Sequence, residues 1–152
     1  MSFSMGVAER EAFLAEARVG VLSVAQEDGV ATLAVPMWYA YAPGQEVVIH
    51  THRESRKADL IRATGRFGIC VHEDGPTFRY VGVEGPVTSE GPVSAEAREA
   101  MAHRYLPPEL ARAYLEASAE QQAGLGTAFR MRPARWRAAD HSALAAKVAG
   151  AM

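Results

Sequence analysis

Apolar and polar positions change period several times along this chain, and the changes mark its elements. Residues 7–17 set Val7, Phe13, Leu14 and Ala17 on one rough face, which predicts a helix. Arg18 to Ala25 alternates and is rich in valine, predicting a strand; Glu27-Asp28-Gly29 turns it, and Ala31 to Tyr41 resumes as a second strand. Ala42-Pro43-Gly44-Gln45 is the next turn, before a third strand over Glu46–Thr51. These three strands read as an antiparallel meander. A helix over about Ser55–Thr64 follows, with Gly65 as its C-cap, then a fourth strand over Arg66–Glu73. After an Asp74-Gly75-Pro76 turn, a long fifth strand spans Thr77–Thr88; Gly82, Gly85 and Pro86 break it in the manner of bulges or a barrel bend.

Ser94 is a good N-cap for a helix to about His103, and Pro107-Pro108 starts another carrying Leu110, Ala113, Tyr114 and Ala117. Residues 127–138 read as the last strand, and a short helix follows from about Ser142. Six or so strands with short turns and outlying helices predict one α+β domain over residues 1–152, centred on a small antiparallel barrel. There is no βαβ alternation and no Gly-x-Gly-x-x-Gly after a strand, which disfavours a Rossmann fold.

Composition narrows the chemistry. A net charge of -2 gives no global attraction to nucleic acid or anionic membrane, so any anion site is local. No apolar stretch approaches the roughly 18 residues of a membrane span, and no leader-like segment opens the chain, so a cytoplasmic protein is expected. The single cysteine, Cys70, lies in an apolar run and is expected to be a buried structural thiol. His50 and His52 have a spacing that metal ligands use, but a third ligand would have to come from elsewhere, such as His72 or His103, and no metal site is assigned. Arg130, Arg132, Arg135 and Arg137 surround Trp136, yet strand alternation would divide them between two faces, and nucleic acid is not expected as a partner.

The stretch from Thr51 to Leu60 carries the strongest chemical signal. Arg53, Arg56 and Lys57 crowd the start of a helix, the end where exposed amides and the macrodipole are already positive. Each such cation costs roughly 0.3–1 kcal/mol unless an anion sits there. A strand, a polar turn and a helix start with Ser55 form a plausible phosphate cradle, although a solvated loop with Glu54 and Asp59 as counterions would look similar. Earlier, Pro36 interrupts the strand Val35-Pro36-Met37-Trp38-Tyr39, so its N–H side should face an edge, a bulge or a ligand. Met37 and Trp38 could wall a planar heterocycle, or serve a core or dimer interface. Arg79 sits in a strand where an unpaired inward cation would be costly, or else it is a surface arginine.

In this order the segments resemble the pyridoxamine 5'-phosphate oxidase-like family of flavin-binding split barrels. The matching residues are Leu22 through Gly29, Val35-Pro36-Met37-Trp38, His50-Thr51 with Ser55-Arg56-Lys57, and Arg79 through Gly85; the likeness covers roughly residues 10–90, with weaker support from Arg132 to Trp136. The resemblance implies a six-stranded antiparallel split β-barrel acting as a homodimer, with flavin sites between subunits. By the same resemblance, Val35, Pro36, Met37 and Trp38 lie along the isoalloxazine ring. His50 and Thr51 reach the ribityl chain and phosphate, Ser55, Arg56 and Lys57 grip the phosphate, and Arg79 approaches ring or phosphate. FMN is the implied cofactor, with the deazaflavin coenzyme F-420 as the alternative and a small molecule as substrate. Extra basic residues such as Arg53, or the arginines around Trp136, would suit the longer anionic tail of the deazaflavin.

The chain departs from the true oxidase in having Arg79-Tyr80 in place of an Arg-Gln pair, and in ending with Asp140 to Leu144 and an alanine-rich tail. Both departures weigh against vitamin B6 oxidation. The resulting expectation is a flavin- or deazaflavin-dependent oxidoreductase. Alternatives are a cofactor-binding module without turnover, a haem-binding split barrel using His50, His52, His72, His103 or His141, and a structural dimer without ligand.

Overall fold

The computed structural model describes residues 2–75 and 78–151. Helix α1 (Val7–Ala15) precedes strands β1 (Gly20–Val24), β2 (Leu33–Met37) and β3 (Val47–His52). Helix α2 (Arg56–Thr64) leads to β4 (Arg66–His72) and the long β5 (Arg79–Pro92). Helices α3 (Ala95–Tyr105), α4 (Pro108–Ala117) and α5 (Ala119–Gln122) come next, then β6 (Gly126–Met131), β7 (Arg135–Asp140) and α6 (Ser142–Ala151). The fold is α+β. Its strands form one antiparallel sheet in the order β2-β1-β4-β5-β6-β3, with β7 added alongside β5.

Strand β5 turns this sheet into a barrel. Its first half pairs with β4 and β7 and its second half with β6, with a register shift between Val87 and Ser89. The expected strand over 127–138 is two strands, because Pro133 has no N–H to give a ladder. Around it the chain crosses β5 instead, with Arg132 N donating to Pro86 O at 3.0 Å and Ala134 N to Glu84 O at 2.9 Å. This crossing explains Gly85, where an added Cβ would lie 1.9 Å from the Arg132 carbonyl oxygen. The expected strand start at Thr77 lies, with Pro76, outside the described residues.

The expected meander is corrected by the structure. β1 and β2 pair as expected, but β3 pairs with β6, and among the described residues only one isolated bridge, Ala40 to Val48, links the β2 side to β3. Tyr39 is tied on its other side. Its backbone N–H donates to the Tyr105 hydroxyl at 3.0 Å, and that hydroxyl lies 2.9 Å from the Tyr39 carbonyl and 2.8 Å from that of Arg18, so α3 fills the end of the β1–β2 ladder while Ala40 faces β3. The Tyr39 side chain is fully buried and donates to Leu14 O at 2.5 Å; burial, then Tyr105, pushes its pKa up to about 12. The barrel is split between β2 and β3, the two ends of the strand path. β2 ends the strand path, an edge position that tolerates Pro36.

Inside the barrel, Leu22, Ile49, Ile69, Val71, Val81, Phe129 and Met131 pack with Phe13 and Leu14 of α1 and Ile61 of α2. Ser55 caps α2 by accepting from Ala58 N at 3.2 Å, and Gly65 ends it in the left-handed region at φ 68°. Cys70 corrects another expectation. It lies on the outer face of β4 and its side chain reaches the surface, although partial burial pushes the thiol pKa up. An all-apolar run such as Phe67–Val71 does not reveal which of its residues point outward.

Gly85→Ala is expected to lose about 3 kcal/mol or more of unfolding free energy in urea, since the clash is with backbone. Gly91→Ala, with nothing within 4 Å of its added Cβ, should be neutral or slightly stabilising. Equal stability of the two variants would contradict the crossing at Gly85.

Candidate functional site

The split between β2 and β3 opens into a cavity of about 760 Å³. Met37 and Trp38 form one wall, and His50, Thr51, His52 and Arg53 line the opposite strand and the turn after it. Helices α3–α5 roof it with Met101, Ala102, Tyr114 and Gln122, while Glu90, Leu125 and Thr127 close the side next to β6. This volume suits a cofactor-sized ligand.

Trp38 is fixed from behind. Its indole stacks on Tyr105 with centroids 4.9 Å apart and planes 5° from parallel, and Tyr114 leans on it at 5.3 Å. The helices thus hold a flat aromatic wall that β2 alone would leave free to rotate. Across the cavity His50 is half-buried; burial, and then the positive charge of Arg130, lowers its pKa below the usual histidine value, so it is neutral at pH 7. No side-chain hydrogen bond to its imidazole is formed among the described residues.

The turn that carries Arg53 is clamped from both sides. Arg53 N donates to Leu125 O at 2.8 Å, and Arg62 Nη1 donates to Arg53 O at 2.8 Å. Arg62 itself is held by Glu90, whose carboxylate also accepts from Thr127 Oγ1 at 2.8 Å; the guanidinium lowers the Glu90 pKa. The Arg53 guanidinium forms no hydrogen bond or ion pair among the described residues and remains a free cation on the cavity wall. Thr51 Oγ1 lies 3.3 Å from Ser55 Oγ, so the cavity floor runs into the start of α2.

Four of the ten expected site residues line this cavity: Met37, Trp38, His50 and Thr51. Val35 packs against the core. Pro36 is exposed on the outer face of the edge strand. Ser55 caps α2, and Arg56 is exposed with its guanidinium 3.1 Å from the Gln26 amide oxygen. Lys57 occupies the next position of the same helix turn, half-buried. Arg79 is engaged elsewhere, donating through Nε and Nη2 to Glu73 at 2.8 and 2.6 Å with its guanidinium 5.0 Å over Phe13. That pairing resolves the cost of an inward cation.

Sequence reasoning did not point to Arg62, Glu90, Arg98, Tyr114 or Leu125 as cavity residues. Arg62 reaches the cavity from α2, and the others through the pairing of β5 with β6 and the docking of α3–α5. Among the described residues no three His, Cys, Asp or Glu side chains converge as a metal site, and no helix is long and apolar enough to cross a membrane.

Residues 7–140 match the family model described as pyridoxamine 5'-phosphate oxidase. The chain belongs to that family. No curated protein matches it at a significant level. Among solved structures it is similar to a conserved hypothetical protein, Rv2991, from Mycobacterium tuberculosis, at 24% identity and TM-score 0.69, covering 94% of this chain and 89% of that one. An FAD-binding protein from Mesorhizobium loti matches at 22% identity and TM-score 0.62, covering 90% and 93%. An F-420 reductase matches at 17% identity and TM-score 0.59, covering 84% and 94%. At these identities the likeness carries the fold of the family to this chain.

His50 supplies a pH test. Because its folded pKa lies below the unfolded value near 6.5, the unfolded chain binds its proton first. Stability therefore falls as pH drops from 6.5 toward the lowered folded value. His50→Gln should lose less stability than the parent between pH 7 and pH 5 in urea unfolding; identical losses would contradict a desolvated, neutral His50.

Proposed function

We propose that this family member is an oxidoreductase that binds FMN, or the deazaflavin coenzyme F-420, in the split between β2 and β3. The carrying observation is one cavity that holds a fixed aromatic wall and the Arg53 cation, with its Thr51 floor leading through Ser55 to the cation-bearing start of α2. Trp38 and Met37 face the side where a tricyclic ring would lie, while Arg53 and the first turn of α2 form the anionic end. Of that turn's amides, Ala58 is capped by Ser55 and Asp59 bonds Ser55 O, leaving those of Arg56 and Lys57 for a phosphate. Among the described residues Arg56 meets only the neutral Gln26 amide, so its charge is not neutralised there. A neutral His50 beside the chain of the cofactor donates or accepts a hydrogen bond without adding charge.

The bound cofactor would supply hydride chemistry. The chain supplies the grip on the phosphate, the orientation of the ring and a roofed pocket for a small-molecule substrate. The matching F-420 reductase and FAD-binding protein support a ligand of this class. We place the protein in the cytoplasm.

The homodimer is part of the same proposal. Two rows of the outer sheet face run across the strands: Pro36, Val21, Cys70, Gly82 and Arg137, then Ala34, Ser23, Gly68, Glu84 and Arg135. A face of small, mostly uncharged residues, with charge confined to one side, suits a second copy of itself.

The cofactor reading is tested by fluorescence titration of FMN and, separately, F-420 into the purified protein. One should bind at micromolar concentration or tighter, and failure of both sinks the reading. Arg56→Ala with Lys57→Ala should weaken that binding by about 1.5–3 kcal/mol per lost charge-assisted contact. Unliganded stability should hold or rise slightly, because both cations lie at the positive end of α2; a large loss would instead indicate structural ion pairs. The dimer is tested by light scattering after gel filtration. Cys70→Arg should convert a dimer to a monomer that still melts cooperatively, and an unchanged mass would reject this face as the interface.

A further inference from the structure

The cavity carries more positive charge than the proposed cofactor uses. Three arginines line it, Arg53, Arg62 and Arg98, against one carboxylate among the described residues, Glu90, which Arg62 holds at 2.7 Å. The whole chain has a net charge of -2, so this concentration of cations is local. Arg53 lies on the β3–α2 turn, at the end proposed for the cofactor phosphate. Arg98 belongs to the roof.

A guanidinium offers five N–H groups, and at Arg98 three of them are engaged. Nε donates to Gln122 Oε1 at 2.7 Å, and Nη2 donates to Leu115 O at 2.7 Å and to Ser118 Oγ at 2.8 Å. All three acceptors are neutral, and Arg98 forms no ion pair among the described residues. The C-terminal end of α4, which carries roughly half a negative charge, is a partial offset. These bonds fix the plane of the guanidinium. The two N–H groups of Nη1 form no hydrogen bond among the described residues. Gln122 also leads to a second donor, because its Nε2 donates to the Tyr114 hydroxyl oxygen at 3.1 Å. The Tyr114 proton is left to donate, and it finds no acceptor among the described residues. Arg98, Gln122 and Tyr114 all line the cavity.

We infer that the roof end of the cavity seats the carboxylate of an anionic co-substrate, with Arg98 Nη1 as its cation and Tyr114 as its second donor. The word co-substrate rests on the cofactor reading, whereas the carboxylate seat rests on Arg98. An uncharged ligand of the same shape would leave the guanidinium without a counterion. A carboxylate forms a charge-assisted pair there, which contributes more than a neutral hydrogen bond. A guanidinium that only ties α3 to α4 and α5 needs no more than its three existing bonds and gives no preference for charge.

Calorimetry on the purified chain, alone and with FMN or F-420, compares 2-naphthoate with 2-naphthamide, which share a ring system and differ in charge. The parent should bind the naphthoate about tenfold or more tightly, the scale of one charge-assisted contact. Raising the salt concentration should shrink that preference. Arg98→Gln should bring the affinity ratio near one. Arg98→Lys keeps the charge without the three-bond fork and should keep part of the preference. Tyr114→Phe should lower the ratio about fivefold. A purely structural Arg98 predicts instead that both Arg98 variants weaken the two probes alike.

Equal binding of the two probes by the parent, binding of neither, or a preference that survives in Arg98→Gln overturns the assignment. Displacement of the naphthoate by FMN or F-420 also overturns it, since the seat would then serve the cofactor itself. An Arg98-dependent preference in a chain that binds neither cofactor would retain the carboxylate seat and reject the cofactor. Cofactor binding without any preference between the probes would do the reverse.

Discussion

One hydroxyl group ties the helical roof to the barrel edge. Tyr105 of α3 meets both the N–H and the C=O of Tyr39, and the carbonyl of Arg18 opposite, at the end of the β1–β2 ladder, while Ala40 faces β3. Buried backbone groups must be paired, and here a side chain does the pairing. The barrel wall stays open between its two edge strands, with one bridge among the described residues, at Ala40 and Val48, joining them. The same contact brings α3 against the opening and stacks Tyr105 on Trp38. Roof and aromatic wall thus share one origin.

The charges around the opening divide into spent and unspent. Arg62 is held by Glu90 and fixes the Arg53 carbonyl, and Arg79 is held by Glu73. Arg53 and Arg56 face no carboxylate within ion-pairing distance among the described residues. Arginines of the first kind shape the site, whereas those of the second can attract a ligand. Residue type alone does not separate the two, since both kinds lie within a few positions of each other on the β3–α2 unit.

That distinction also marks how far the sequence could be read. Periodicity located nearly every element, and local chemistry located their ends: Ser55 and Ser94 as caps, Gly65 in its left-handed turn, Pro36 on an edge strand. Long-range pairing was not legible. Nothing in residues 46–51 announces β6 as the partner of β3, and nothing in α3 announces that its Tyr105 replaces a ladder bond. Cys70 was misplaced because its neighbours Phe67, Ile69 and Val71 fill the core while Gly68 and Cys70, small and uncharged, share the outer face. The polar half of the site was legible as a cation excess at a helix start. The roof was not, because Arg98, Tyr114 and Gln122 acquire their roles only when three short helices fold over the split.

The central claim is that the split between β2 and β3 receives a flavin-type cofactor. Amide chemical-shift mapping on isotope-labelled protein tests it most directly. Adding FMN or F-420 should shift the amides of Trp38, His50, Thr51, Arg53, Arg56 and Lys57 while leaving those of β7 near their free positions. Shifts confined to β4 and β7, or none with either cofactor, would contradict it.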